Sequence, residues 1–222
     1  MTQIFAGFFS EGSTDVSFLK PIVEKTLVSI AFDCHGQLDI ELIPINLNKT
    51  GLSFINQILD ASKKGFEDFG MMILFVQTDA DNRNLADTYT HKINPAINEL
   101  TQQNELEYCK LLVAIVPIQE TEAWMLADVE LLKRQIGTQK TDAELQINRD
   151  PESIANPKEV IQNAIRIARQ DLTKRRRRDL DISDLYGMGQ EMGLESLEKL
   201  SSFVDFKNNL RRAFIELNLL AE

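Results

Sequence analysis

Residues 7–19 read GFFSEGSTDVSFL. An apolar run meets a glycine and passes at once into apolar residues at helical spacing, with Glu11 and Asp15 at the junction. A strand that enters a helix through so short a turn is the opening half of a βαβ unit. The N-terminus of a helix carries partial positive charge and is a ready site for phosphate. Two carboxylates in that place are therefore the feature to be explained.

Working outward, the same alternation continues. Residues 4–10 read as a first strand and 15–30 as a helix with Val16, Leu19, Ile22, Val23 and Leu27 on one face, capped by Ser13 or Thr14. Residues 39–45 alternate as a second strand, and 52–66 have helical spacing. Residues 71–76 are a nearly continuous apolar strand, and 85–103 a helix that Pro95 kinks or restarts. The run LLVAIVPI at 111–118 is a fourth buried strand, with 120–136 mostly helical after it. Strands apolar on both faces, separated by helices, predict a parallel sheet covered on each side. The expected fold is α/β, Rossmann-like and doubly wound, with a mainly parallel four-stranded sheet. Residues 1–136 form that domain in this reading, and the polar stretch 137–157 is a linker or mobile loop. Residues 158–222 are a helical extension.

Composition narrows the class. With 43% hydrophobic and 26% charged residues among 222, the chain is of globular rather than disordered type. Two cysteines, Cys34 and Cys109, are too few for a disulfide framework and lack metal-ligand spacing. No signal peptide or membrane-spanning run is seen, so a cytoplasmic protein is expected. The net charge of -10 opposes nucleic acid at long range. Against it stands the run KRRRR, from Lys174 through Arg175, Arg176 and Arg177 to Arg178, which reads either as a phosphate-contacting patch or as a face neutralised by Asp171, Asp179 and Asp181.

Ligands of open parallel sheets gather beyond the carboxyl ends of the strands. Three of the four expected strands end there in acids: Glu11 after the first, Asp79 and Asp81 (VQTDAD) after the third, Glu120 and Glu122 (IQETEAW) after the fourth. Mutual repulsion would oppose such a cluster without a cation. Oxygen-only donors with no neighbouring histidine favour Mg²⁺ or Mn²⁺ over zinc. Each acid also has a plainer reading: Asp15 as a helix-start residue, Asp79 and Asp81 as turn formers, Glu120 and Glu122 as a solvated helix face. Trp124 reads as core packing.

EGSTD after a first strand, followed by a hydrophobic strand ending in TDAD, resembles the Toprim domain of topoisomerases, primases and OLD-family nucleases. The later ETEAW and NPKEV are similar to Toprim-like bacterial proteins linked with defence against phage. The resemblance covers roughly the first 130 residues. It implies that Glu11, Asp79 and Asp81 are catalytic and that they bind Mg²⁺ together with Asp15 and Glu120 or Glu122. It further implies a nuclease acting on DNA or RNA by two-metal phosphodiester cleavage, with nucleic acid as partner. No Walker motif is present, so an ATPase, where one is needed, is a separate chain. A homo-oligomer is compatible with the sequence, and no membrane partner is expected. The rival expectations are a phosphatase or phosphotransferase on a small phosphorylated substrate, and a non-catalytic Toprim-like interaction module.

Overall fold

The computed structural model describes residues 1–80, 84–173, 175–176 and 179–221. Its strands are β1 (Thr2–Ser10), β2 (Leu38–Pro44), β3 (Ile73–Gln77) and β4 (Leu112–Ile115). All pair in parallel in one sheet of order β2-β1-β3-β4. The chain thus winds outward one way from β1 to β2 and the other way from β3 to β4. That leaves a switch point between β1 and β3, where Ser10 stands opposite Gln77.

Successive strand residues serve different cores, as the two-residue period requires. Ile4, Ala6, Phe8, Ile73 and Phe75 face one side with α1 (Ser13–Ala31). Phe9, Leu74 and Val76 face the other with α2 (Phe54–Phe69). Every residue of β3 is buried, which is why its sequence ILFVQ is apolar up to the closing Gln77.

Helix ends follow local chemistry. The expected cap at Ser13 or Thr14 is corrected: Gly12, in extended conformation, is the residue before the first turn of α1. A Cβ on Gly12 would lie 2.4 Å from the Asp15 carboxylate, and that carboxylate is hydrogen-bonded to the Gly12 backbone. Ser53 accepts from the Asn56 amide to begin α2, and Gly70, at φ 67°, ends it. The helix expected over 85–103 is three pieces: α3 (Leu85–Thr88), a π-helical turn Tyr89–Ile93, and α4 (Asn94–Gln102). Pro95 has no amide hydrogen and its ring crowds the carbonyl four residues back, so the hydrogen-bond ladder is re-spaced just ahead of it.

Beyond β4 come α5 (Glu122–Met125) and α6 (Val129–Ile136), the latter begun by the Asp128 carboxylate. The stretch 137–157, expected as linker or loop, contains α7 (Asp142–Leu145) with a Thr141–Glu144 capping box, and a 3-10 turn at Pro151–Ser153. Leu145, Ile147 and Ile154 within it are buried. The C-terminal elements are α8 (Pro157–Ala168), a 3-10 segment Ile182–Gln190, α9 (Leu194–Leu197) and α10 (Ser201–Glu216).

These helices share a core with α1 and the sheet. Trp124 is fully buried against Phe203, ring centroids 5.4 Å apart, and Phe206 packs edge-on to Phe75 of β3 at 6.2 Å. Gly189 sits so close to α1 that a Cβ there would fall 2.0 Å from the Phe18 carbonyl oxygen. Among the described residues, no helix is long and apolar enough to cross a membrane.

Candidate functional site

The carboxyl ends of β1 and β3 bring Glu11 and Asp79 to the two sides of the switch point. One buried side chain organises them. Gln77, the last residue of β3, accepts from the Glu11 amide at 3.1 Å through Oε1, with the Ser10 hydroxyl 2.9 Å from the same oxygen. Its amide nitrogen donates to Asp79 Oδ1 at 3.0 Å and lies 3.4 Å from the Thr121 hydroxyl. Three strand ends are tied together in this way by a neutral residue that an acid-focused reading passes over. Its visible signal was a lone polar residue closing an apolar strand.

Thr121 donates to Asp79 Oδ1 at 3.2 Å and is also hydrogen-bonded to Asp15. Burial pushes the Asp79 carboxyl up to about 8, and the neighbouring Asp15, Glu11 and Glu122 charges add to the rise against the Thr121 hydrogen bond. Asp15 is raised by the same causes, burial first and Glu122 after the Thr121 bond, which opposes it. Four of the expected acids are therefore close enough to feel one another: Glu11, Asp15, Asp79 and Glu122. Glu120 is half-buried at the turn into α5, its carbonyl accepting from the Ala123 amide at 2.9 Å. Gln119, just before it, holds a left-handed φ of 68°. Such a conformation is costly for a side chain with a Cβ and gathers at functional sites.

Glu122 is not on a solvated face. It is 5% exposed and accepts from the Tyr186 hydroxyl at 2.5 Å, with the Lys158 ammonium 3.6 Å away. Burial and the bond to Glu122 both raise the Tyr186 hydroxyl's pKa. Tyr186 and Lys158 come from the 3-10 segment Ile182–Gln190 and the first turn of α8, so the C-terminal helices complete the site. Lys92, on the π-helical turn, donates to the Thr78 hydroxyl at 3.1 Å and lies 3.7 Å from Glu11. Thr78 in turn donates to Glu11 at 2.7 Å. Lys49, from the loop after β2, donates to the Ser10 and Glu11 carbonyls. Burial lowers the Lys49 pKa against the pull of Glu11 and Asp15. Three lysines from three separate elements thus ring the acids. None was picked out from sequence, because nothing local marks a lysine that the fold carries to a distant carboxylate.

Asp81, Lys174, Arg177 and Arg178 lie outside the described residues. Arg175 and Arg176 are exposed in the turn after α8, where the Arg169 guanidinium donates to the Arg176 carbonyl at 3.1 Å. Among the described residues no three Asp, Glu, His or Cys side chains are grouped so as to hold one ion. The side-chain directions explain this: Glu11 is turned to Thr78 and Lys92, Glu122 to Tyr186 and Lys158. The donor set still fits a magnesium-type ion, which takes one or two carboxylates and keeps several waters. Asp79 and Asp15 supply that pair; burial first, and then neighbouring carboxylate charge, raise both pKa values, and a cation would offset each of these costs.

No curated protein and no solved structure matches the chain. One family does, described as "Domain of unknown function (DUF4276)", over residues 10–211. That span takes in the whole site from Glu11 through Lys158 to Tyr186, and with nearly the full chain matched, this protein belongs to the DUF4276 family.

Proposed function

We infer that the chain is a divalent-metal-dependent phosphodiesterase, a Toprim-like nuclease acting on DNA or RNA, with a role in bacterial defence against phage as the resemblance implies. The observation that carries this reading is the grouping of four carboxylates at the β1/β3 switch point inside a ring of three lysines. Ordinary ion pairing would neutralise acids one by one. Here Asp15 and Asp79 are held by neutral donors, Thr121 and Gln77, while the lysines pair with the outer acids or with backbone.

Mg²⁺ or Mn²⁺, held by Asp79 and Asp15, would supply an activated water and offset charge on the leaving oxygen. The protein's own groups divide the remaining work. Gln77 and Thr121 orient Asp79. Glu11, kept in place by the Thr78 hydroxyl, is the carboxylate across the crevice and the candidate general base. Lys92 beside Glu11 and Lys158 beside Glu122 bring cations to the outer acids, where they can balance the charge of a phosphodiester. Tyr186 fixes Glu122, which in turn positions Lys158.

The test is cleavage of supercoiled plasmid and total tRNA in Mg²⁺ or Mn²⁺, with EDTA and Asp79→Ala as controls. Cutting that both controls abolish supports the nuclease and identifies its substrate class. If a chromogenic phosphomonoester is hydrolysed and nucleic acid is not, the site belongs to a phosphatase. If neither is hydrolysed and calorimetry detects no Mn²⁺ binding that depends on Asp79, the chain is a non-catalytic module.

A further inference from the structure

Beside the acids, under the loop that follows β2, lies a cavity of about 320 Å³. Ser10 and Gly12, the two neighbours of Glu11 in the chain, both line it. Anything seated there is within a residue of the proposed cleavage site. Val16 of α1, Pro44 at the end of β2 and Leu47 of the loop form apolar walls, while Asn46, Lys49 and Thr50 bring amide, ammonium and hydroxyl groups to the lining. The ammonium is anchored on the Ser10 and Glu11 carbonyls and lies 4.9 Å from the Phe9 ring centre. It therefore stands between the cavity and the acids.

Apolar walls for a flat ring, amide groups for its polar edge and a cation towards the phosphate are together the requirements of one nucleotide. A base that is stacked and paired in a duplex points away from its own backbone and cannot enter a cavity beside the scissile phosphate. Only an unpaired or swung-out base can, and swinging one out of a duplex costs a few kcal/mol that a single strand does not spend. Resting on the phosphodiesterase reading, we propose that this cavity is a base-binding subsite for the nucleotide next to the scissile phosphate, which makes single-stranded nucleic acid the preferred substrate. Asn46, exposed at the rim, is the residue that meets the base edge, by the same amide chemistry that reads bases elsewhere.

The experiment compares one labelled oligonucleotide, as a single strand and in a blunt duplex, with Mn²⁺ and the full-length protein. Wild-type protein is expected to cleave the single strand with kcat/KM at least tenfold above the duplex. Leu47→Trp, which fills the cavity, is expected to raise KM for the single strand at least tenfold while Mn²⁺ binding by calorimetry is unchanged. Asn46→Ala, on the exposed rim and harmless to folding, is expected to raise KM several-fold with kcat unchanged. Equal cleavage of duplex and single strand, with both variants silent, overturns the subsite and leaves the nuclease standing. If neither form is cut, fluorescence anisotropy with Ca²⁺ decides. Single-strand binding that both variants weaken keeps the subsite and removes the nuclease, whereas no binding overturns the subsite.

Discussion

Gln77 shows what one neutral residue does among charges. It is fully buried and spends both ends of its amide on groups from β1, the β3 loop and the turn before α5. Gln77→Leu preserves much of the volume, strands the Glu11 amide and leaves Asp79 Oδ1 with Thr121 as its remaining donor. The expected cost is roughly 1–3 kcal/mol, the price of unsatisfied buried polar groups, read as a lower urea midpoint. Asp79 gives a second expectation. Burial first, and then the neighbouring Asp15 charge, push its carboxyl up to about 8 in the folded protein from 3.8 in the unfolded chain, so between those values the folded chain binds more protons than the unfolded one. The stability that this one group contributes is then fully present below about pH 4 and is lost as pH rises through 8, by up to about 1.4 kcal/mol per pH unit. Asp15 is shifted the same way and adds to the slope. Denaturation midpoints of metal-free protein at pH 5 and 9 should differ accordingly, and Asp79→Asn should flatten the difference.

Among elements, the 3-10 turn Pro151–Ser153 does more than connect. The Glu152 carboxylate accepts from the Ser201 and Ser202 amides, each at 2.9 Å, and from both hydroxyls at 2.6 Å. It caps α10 from 49 residues away in the chain, where a negative charge also suits the helix dipole. Ser202 passes the contact on by accepting from the Trp124 indole at 2.8 Å. Glu152→Ala removes the acceptor for four donors. A loss of about 1–2 kcal/mol is expected, measured by thermal or urea unfolding, with Glu152→Gln intermediate. That α10 lies in a helical extension was readable beforehand. Its cap was not, because a capping carboxylate supplied by a remote turn leaves no mark near the helix start.

At the scale of the whole molecule, the C-terminal helices and the sheet stand or fall together. Phe203, Phe206 and Leu210 of α10 are fully buried, as are Phe18 and Trp124 on the N-terminal side. A chain ended after Gly137 would expose the apolar surface that these residues cover, and would also lose Lys158 and Tyr186. It is expected to show no cooperative thermal transition and to bind a hydrophobic dye, whereas the full chain unfolds in a single step.

Periodicity alone determined the parallel α/β order of strands and helices, because a strand buried on both faces must be apolar throughout and its partner helices must carry a 3.6-residue stripe. Strand-end position likewise singled out Glu11, Asp79, Asp81, Glu120 and Glu122, since loops at the carboxyl edge of a parallel sheet converge whatever their length, and of these Glu11, Asp79 and Glu122 are close enough to feel one another. Lys49, Lys92, Lys158, Tyr186 and the Gln77–Thr121 scaffold were decided only by tertiary structure. Each meets its acid through packing between elements far apart in the chain: the π-helical turn ahead of Pro95, the loop after β2, and a helical region bound to α1 through a shared core. Local sequence records which face of an element is apolar. It does not record which distant element covers that face, and so which polar side chains arrive with it.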